Sequence, residues 1–227
     1  MQWSAHGVLD GEVTSRRWTV IVPVKSLASA KSRMAEEYSA PADLARAFLE
    51  DVLAAIADTA EVEQILIASR DPSVTHIARR HGAQIIDDSG HEGINAAVTW
   101  AAGFAPAGTR IAVVVSDLPR LTSDSLSAAL NAAQEHEVAF LADAEGTGTT
   151  MWMAGSLSAF PPHFGANSRA AHTAMGAVDL ALIDPDPRVE PARRDADTLD
   201  ALTADPSTLG PHTGRLVQDS RLIQVNP

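Results

Sequence analysis

The chain has no cysteine. Disulfides, thiolate-bound zinc and thiol nucleophiles are therefore excluded. Aromatic residues make up only 4% of the 227 residues, so the core must come from Ala, Val, Leu and Ile within a hydrophobic fraction of 45%. No apolar run approaches the roughly 18 residues of a membrane-spanning helix. Positive charge is also scarce: 17 Lys and Arg stand against 29 Asp and Glu, a net charge of −12. That balance argues against nucleic acid as a partner, which needs a basic face. It leaves room for a small anionic ligand held by a few local cations. Two nucleotide signatures are missing. Without Gly-x-x-x-x-Gly-Lys-Ser/Thr the chain is not a P-loop ATPase or GTPase, and the lack of Gly-x-Gly-x-x-Gly disfavours a dinucleotide dehydrogenase. The first 17 residues are polar and lack the apolar segment of a secretion signal; they are expected to be a flexible tail on a cytoplasmic protein.

What is present is an alternation of strand and helix patterns. Apolar, β-branched runs predict strands at 18–24, 64–68, 84–86, 111–115, 138–142, 149–154 and 178–183. Helical spacing predicts helices over 42–57, about 93–102 and 124–135. A further helix is capped by Ser73, with Val74, Ile77, Ala78 and His81 inward, and ends at Gly82. This order predicts right-handed crossovers and a mostly parallel α/β sheet up to about residue 142. The later strands are expected to add a mixed or antiparallel part that covers the site. A Pro-rich charged loop is expected over 184–194, and a tail without periodicity after Asp205.

Four clusters carry candidate chemistry. Ile111 to Val115 reads as a strand buried on both faces, and Pro119 prevents the ladder from continuing beyond Asp117. A carboxylate at the carboxyl end of a parallel strand sits where open α/β sheets bind ligands, and it can hold a divalent metal beside a phosphate; the plainer alternative is a turn aspartate. Lys25, Lys31 and Arg33 place three cations within nine residues after the first strand, a common phosphate position, though solvated surface charge reads equally well. Asn95, after Gly93 at a helix start, offers donor and acceptor to a base or ribose, or serves as an ordinary N-cap. Gly146-Thr147-Gly148-Thr149-Thr150 has more glycine and hydroxyl than a hairpin turn needs, which favours an anion loop. Phe164 to Ser168 is a weaker candidate of the same kind. In an extended segment Asp195 and Asp197 point the same way, and two like charges there call for a neutralising metal. Three aspartates and three cations together suit one task, holding a metal–triphosphate. The eight histidines show no metal-ligand spacing.

In their order along one chain, the segments 22–34, Gly-Ile-Asn-Ala-Ala (93–97), Ser-Asp-Leu-Pro-Arg-Leu (116–121), 142–150, Phe-Gly-Ala-Asn-Ser (164–168) and Arg-Asp-Ala-Asp-Thr (194–198) resemble the phosphoenolpyruvate or 2-phospho-L-lactate guanylyltransferases of coenzyme F420 biosynthesis. The resemblance spans about residues 18–205. It implies a single-domain, nucleotide-diphospho-sugar-transferase-like (Rossmann-like) α/β fold, mostly parallel and flanked by helices, with a small antiparallel extension. It divides the chain into a tail (1–17), a guanylyltransferase domain (18–205) and a C-terminal tail (206–227). It implies transfer of GMP from GTP to the phosphate of the acceptor, with release of pyrophosphate. The family's metal-binding aspartates fall on Asp117, Asp195 and Asp197, with one or two Mg²⁺ expected. Its acceptor positions fall on Thr149, Gly165 and Ser168. Lys25, Lys31 and Arg33 look like the phosphate site, and Lys25, Lys31, Gly93 and Asn95 are expected at GTP. The family's Leu-Asn-Ala-Ala is Ile94-Asn95-Ala96-Ala97 here. A downstream transferase is an expected partner for the labile product; a membrane is not. The acceptor stays open between phosphoenolpyruvate, favoured by bacterial precedent, and 2-phospho-L-lactate. Another nucleotidyltransferase, a metal-dependent phosphohydrolase and a non-catalytic nucleotide sensor are the remaining readings.

Overall fold

The computed structural model describes residues 17–27, 40–183 and 186–219. The chain runs β1 (Trp18–Pro23), α1 (Pro41–Ala57), β2 (Val62–Ala68), α2 (Val74–Arg80), β3 (Gln84–Ile86), α3 (Ile94–Ala102), β4 (Arg110–Val114), α4 (Ser123–Ala133), β5 (Val138–Ala142), β6 (Thr149–Ala154), α5 (Ser168–Ala174), β7 (Val178–Asp179), α6 (Leu180–Ile183), α7 (Leu199–Thr203) and α8 (Pro211–Asp219). The strands form a seven-stranded sheet in the order β3-β2-β1-β4-β6-β5-β7. The pairs β1–β2, β1–β4, β2–β3 and β5–β7 are parallel, whereas β6 is antiparallel to both β4 and β5.

The continuous apolar runs are strands buried on both faces, as a parallel sheet flanked by helices requires. Alternation divides them. Val20, Val22, Ala112 and Val114 join a core with Leu49, Val52 and Leu53 of α1, Ile77 of α2 and Leu126 and Leu130 of α4. Ile21, Leu66, Ile111 and Val113 face the other way, onto Ala97, Val98 and Ala101 of α3.

The expected antiparallel part differs in its place. β6 and β5 extend the sheet edge instead of covering the site, because β6 pairs directly with β4. The expected strand over 178–183 stops at Asp179, whose carboxylate accepts from the Ala181 amide (3.1 Å) and turns the chain into α6. The expected loop over 184–194 contains a 3-10 helix, Pro187–Arg193, capped by Asp186. Ser73 stands at the N-cap of α2 without a capping side-chain bond; its hydroxyl donates to Asp71 instead (2.7 Å).

The expected tail beyond 205 is corrected most. α8 docks on α1, and its N-terminal amides are capped from afar: His212 and Thr213 both donate to buried Asp51 (2.9 Å each). A local cap is what a sequence can show, and here the cap comes from α1. Leu44 and Phe48 of α1 pack with Ala196, Leu199 and Leu202, with Leu209 and Leu216 against them. At Gly210 a Cβ would overlap the Asp51 carboxyl, so the close approach requires glycine. Gly210→Ala is expected to destabilise the protein by about 1–3 kcal/mol through overpacking. Asp51→Ala is expected to cost about 2 kcal/mol, because two helix amides lose their acceptor. Urea unfolding measures both, and unchanged midpoints would refute this account of α8.

Candidate active site

The carboxyl ends of β4, β1, β2 and β3 lie side by side, and a cavity of about 750 Å³ opens across them. Its wall takes Lys25 and Ser26 after β1, Arg70 after β2, Asp88, Glu92 and Gly93 after β3, Asp117 after β4, and Asp197. Ligands bind at this edge of open α/β sheets because strand ends and loops leave backbone groups facing a crevice.

The position of Asp117 is set by the chain's C-terminal third. The Ala196 amide donates to the Asp117 carbonyl (3.1 Å), and the Gly210 amide donates to the Pro119 carbonyl (2.7 Å). Buried Arg120 bonds Ala201 O (2.7 Å), at the end of α7, and Thr208 Oγ1 (2.9 Å). Its cation thereby meets the negative end of a helix. Arg193 bonds Ala142 O (3.0 Å) and Asp143 O (2.9 Å), which fixes the start of the 195–197 segment to the end of β5. Thr198 caps α7, so Asp197 precedes the cap instead of serving it. The backbone thus brings Asp117 beside Asp195 and Asp197. Asp117 and Asp197 face the cavity, whereas half-buried Asp195 is not in its wall.

Exposed Lys25 follows β1 between two anchors. The Val24 amide donates to Ala68 O (2.9 Å), and the Leu27 amide donates to Asp71 Oδ2 (2.8 Å). Burial raises the Asp71 pKa, but hydrogen bonds from Ser73 and Leu27 outweigh it and hold the carboxyl below its ordinary range. Lys31 and Arg33 lie outside the described residues. Among the described residues no three or more His, Asp or Glu side chains form a ready metal cluster. Mg²⁺ does not need one, since it is usually held by one or two carboxylates with substrate phosphates and waters. Asp117 and Asp197 supply hard oxygen donors of that kind, so the donor chemistry fits.

Several groups expected at a ligand also make hydrogen bonds within the protein. Asn95 is not the N-cap of α3, and its side-chain amide bonds the backbone of Phe164. Its Nδ2 donates to Phe164 O (3.0 Å) and its Oδ1 accepts from Phe164 N (2.8 Å), pinning the 164–168 loop to α3. The N-cap is Gly93, whose positive φ of 84° turns the chain into α3 at the cavity wall. In the Gly-Thr segment two backbone amides already have an acceptor. The Thr147 and Gly148 amides donate to buried Asp143 (2.9 and 2.7 Å), and a Cβ at 148 would overlap that carboxylate. Sequence patterns did not point to Asp143, because its bonds reach four and five residues ahead and not the two of an Asx-turn.

Thr149, Gly165 and Ser168 do come together, beside the cavity but outside its wall. Antiparallel β6 starts at the carboxyl end of β4, where the Val115 amide donates to Thr150 O (3.1 Å). The Ser168 amide donates to Gly165 O (3.2 Å), and the Ser168 hydroxyl donates to Thr149 Oγ1 (3.1 Å). Behind them lies His172, a residue the sequence did not mark. It is 0% exposed among the rings of Phe140, Trp152 and Phe164. The His163 amide donates to His172 Nε2 (2.9 Å), so the neutral ring carries its proton on Nδ1 and donates to Thr149 Oγ1 (2.9 Å). Burial, with His163 nearby, pushes the His172 pKa down to about 4. The folded ring resists a proton that the unfolded ring accepts near pH 6.5. Its contribution is therefore fully present above about pH 6.5 and is lost as pH falls toward 4, by roughly 2–3 kcal/mol. His172→Gln, which preserves a donor and an acceptor, should flatten the loss of stability between pH 7 and pH 4.5 measured by urea unfolding. An unchanged slope would refute the assignment.

Residues 18–177 match the family described as guanylyl transferase CofC like. A phosphoenolpyruvate guanylyltransferase of Streptomyces avermitilis is 37% identical, with 93% of this chain and 98% of that protein covered. A protein of the same name from Salinispora arenicola is 39% identical over 88% and 92% of the two chains. Among solved structures, a nucleotide-diphospho-sugar transferase from Desulfovibrio desulfuricans G20 aligns with a TM-score of 0.59 at 18% identity, covering 91% of this chain and 96% of that one. At that identity the likeness speaks to the fold alone. With a family match over most of its length and close relatives aligned nearly end to end, the chain belongs to the CofC-like guanylyl transferase family.

Proposed function

We propose that the protein transfers the GMP unit of GTP to phosphoenolpyruvate, giving enolpyruvoyl-2-diphospho-5'-guanosine and pyrophosphate in coenzyme F420 biosynthesis. The observation that carries this reading is the juxtaposition of Asp117, Asp197 and Lys25 around one strand-end cavity, in a chain whose relatives bear that enzyme's name. Those names favour phosphoenolpyruvate over 2-phospho-L-lactate.

A phosphate oxygen of the acceptor attacks the α-phosphorus of GTP. The new P–O bond forms as the bridge between the α- and β-phosphorus breaks, and pyrophosphate leaves with the bonding pair. The acceptor phosphate is already largely ionised at neutral pH, so no strong general base is required. Lys25, aided by Lys31 and Arg33, stabilises charge on the departing pyrophosphate. Lys25 and Lys31 are the only two lysines of the chain. Asp117 and Asp197, with Asp195, hold Mg²⁺, which when bound neutralises phosphate charge. The cluster of Thr149, Gly165 and Ser168 holds the acceptor beside the nucleotide. The labile product suits direct transfer to a downstream enzyme.

The test is pyrophosphate release by purified protein with Mg²⁺, each of the four nucleoside triphosphates, and either acceptor. Release is expected with GTP and phosphoenolpyruvate, and removal of Mg²⁺ by EDTA should abolish it reversibly. Asp117→Asn and Lys25→Ala should each lower kcat by on the order of 10²-fold or more while the far-ultraviolet spectrum is unchanged. No release with any pairing would refute the proposal. Release with 2-phospho-L-lactate alone would change the acceptor.

A further inference from the structure

The end of the cavity away from Asp117 is built differently. Across the strand order β4-β1-β2-β3, Asp117 follows β4, Lys25 follows β1, Arg70 follows β2 and Asp88 follows β3. Neighbouring strands are about 4.8 Å apart, so these four positions are laid out over roughly 14 Å. A nucleotide whose phosphates lie between Asp117 and Lys25 can seat its base at the other end of the same cavity, at Arg70 and Asp88. The wall there includes Ala68, Ile94 and Ala97, apolar groups suited to the face of a flat ring. At its rim Arg70 Nε contacts Asp88 Oδ1 (3.3 Å) and Arg70 Nη1 contacts Glu92 Oε1 (3.2 Å).

We infer that Arg70, together with Asp88 and Glu92, selects guanine over adenine. The inference rests on the GTP-dependent reading above. Guanine presents the O6 acceptor next to the N1–H and N2–H donors. A guanidinium beside a carboxylate offers the matching donor and acceptor side by side. Adenine presents an amino donor next to a ring acceptor, which reverses the pattern and leaves both protein groups facing like partners. The loop that carries the two carboxylates is braced. His91 stacks on Trp100 with ring centroids 4.4 Å apart and planes 12° from parallel. Trp100 Nε1 donates to Asp87 O (3.1 Å), and Asp87 accepts from the Ser89 amide and hydroxyl (2.9 and 2.6 Å). This bracing explains why a tryptophan 42% exposed stands on the outer side of α3.

The test measures binding of GTP, ATP and inosine triphosphate to the full-length protein by calorimetry, with Mg²⁺ and no acceptor. Wild type, Arg70→Gln and the double variant Asp88→Asn/Glu92→Gln are compared. Wild type should prefer GTP to ATP. Arg70→Gln should weaken GTP at least about tenfold while leaving ATP nearly unchanged, the discrimination of one lost base contact. The double variant should lose more affinity for GTP than for inosine triphosphate, which lacks the N2 amino group. Equal weakening of GTP and ATP in Arg70→Gln, or a wild type without preference, would overturn the inference. Because binding is read without turnover, selective GTP binding with no pyrophosphate release would refute the transfer reaction and uphold the base reader.

Discussion

A strand end carrying Asp117 is held in place by chain about 80 to 90 residues away. The Ala196 and Gly210 amides bond the carbonyls of Asp117 and Pro119, and Arg120 grips the end of α7. These are main-chain and buried charge-assisted bonds, so they fix a backbone path and not merely a side-chain rotamer. The rest of the site depends on that path. It sets Asp117 against the 195–197 segment, and it seals α1 beneath the belt formed by α7 and α8. Small groups such as Ala196 and Gly210 are needed where backbones meet this closely, and Asp51 fills the space that Gly210 leaves.

A second constraint is polar satisfaction. Loops rich in glycine, hydroxyls and amides look ready for anions, yet buried donors must be paired in the folded protein. Asp143 takes the amides of Thr147 and Gly148, Asn95 takes the backbone of Phe164, and His172 ties Thr149 to the His163 amide. These groups shape the acceptor side by rigidifying it. The open side of the cavity is left to Lys25, Arg70 and the carboxylates around them.

The strands and most helices were legible because their signals are local. Ile111 to Val115 has the unbroken apolar run of a doubly buried strand, and Leu44 to Ile56 has helical spacing. The family was legible from the order of six short segments. Asp117 could be named from its strand-end position, and Asp195 and Asp197 from their i, i+2 spacing in an extended segment. Asn95, Thr149 and Ser168 were named from residue type and local pattern, but their side-chain partners are 19 to 69 residues away, and no local rule points to them. Arg70, Asp88 and Glu92 come from two separate loops, and nothing in either loop alone announces the other.

By itself the sequence determined the layered α/β class, the exclusion of thiol and P-loop chemistry, and the candidate acids and cations. Periodicity and residue type act over a few neighbours, and those features need nothing more. Only the tertiary structure decided which candidates share a cavity and which bond to other parts of the protein. Strand order placed β4, β1, β2 and β3 edge to edge, and hydrogen bonds, some of them long-range, fixed the polar groups of the loops. Which partner a polar residue takes depends on chain far from it in sequence, and that is a property of the folded protein.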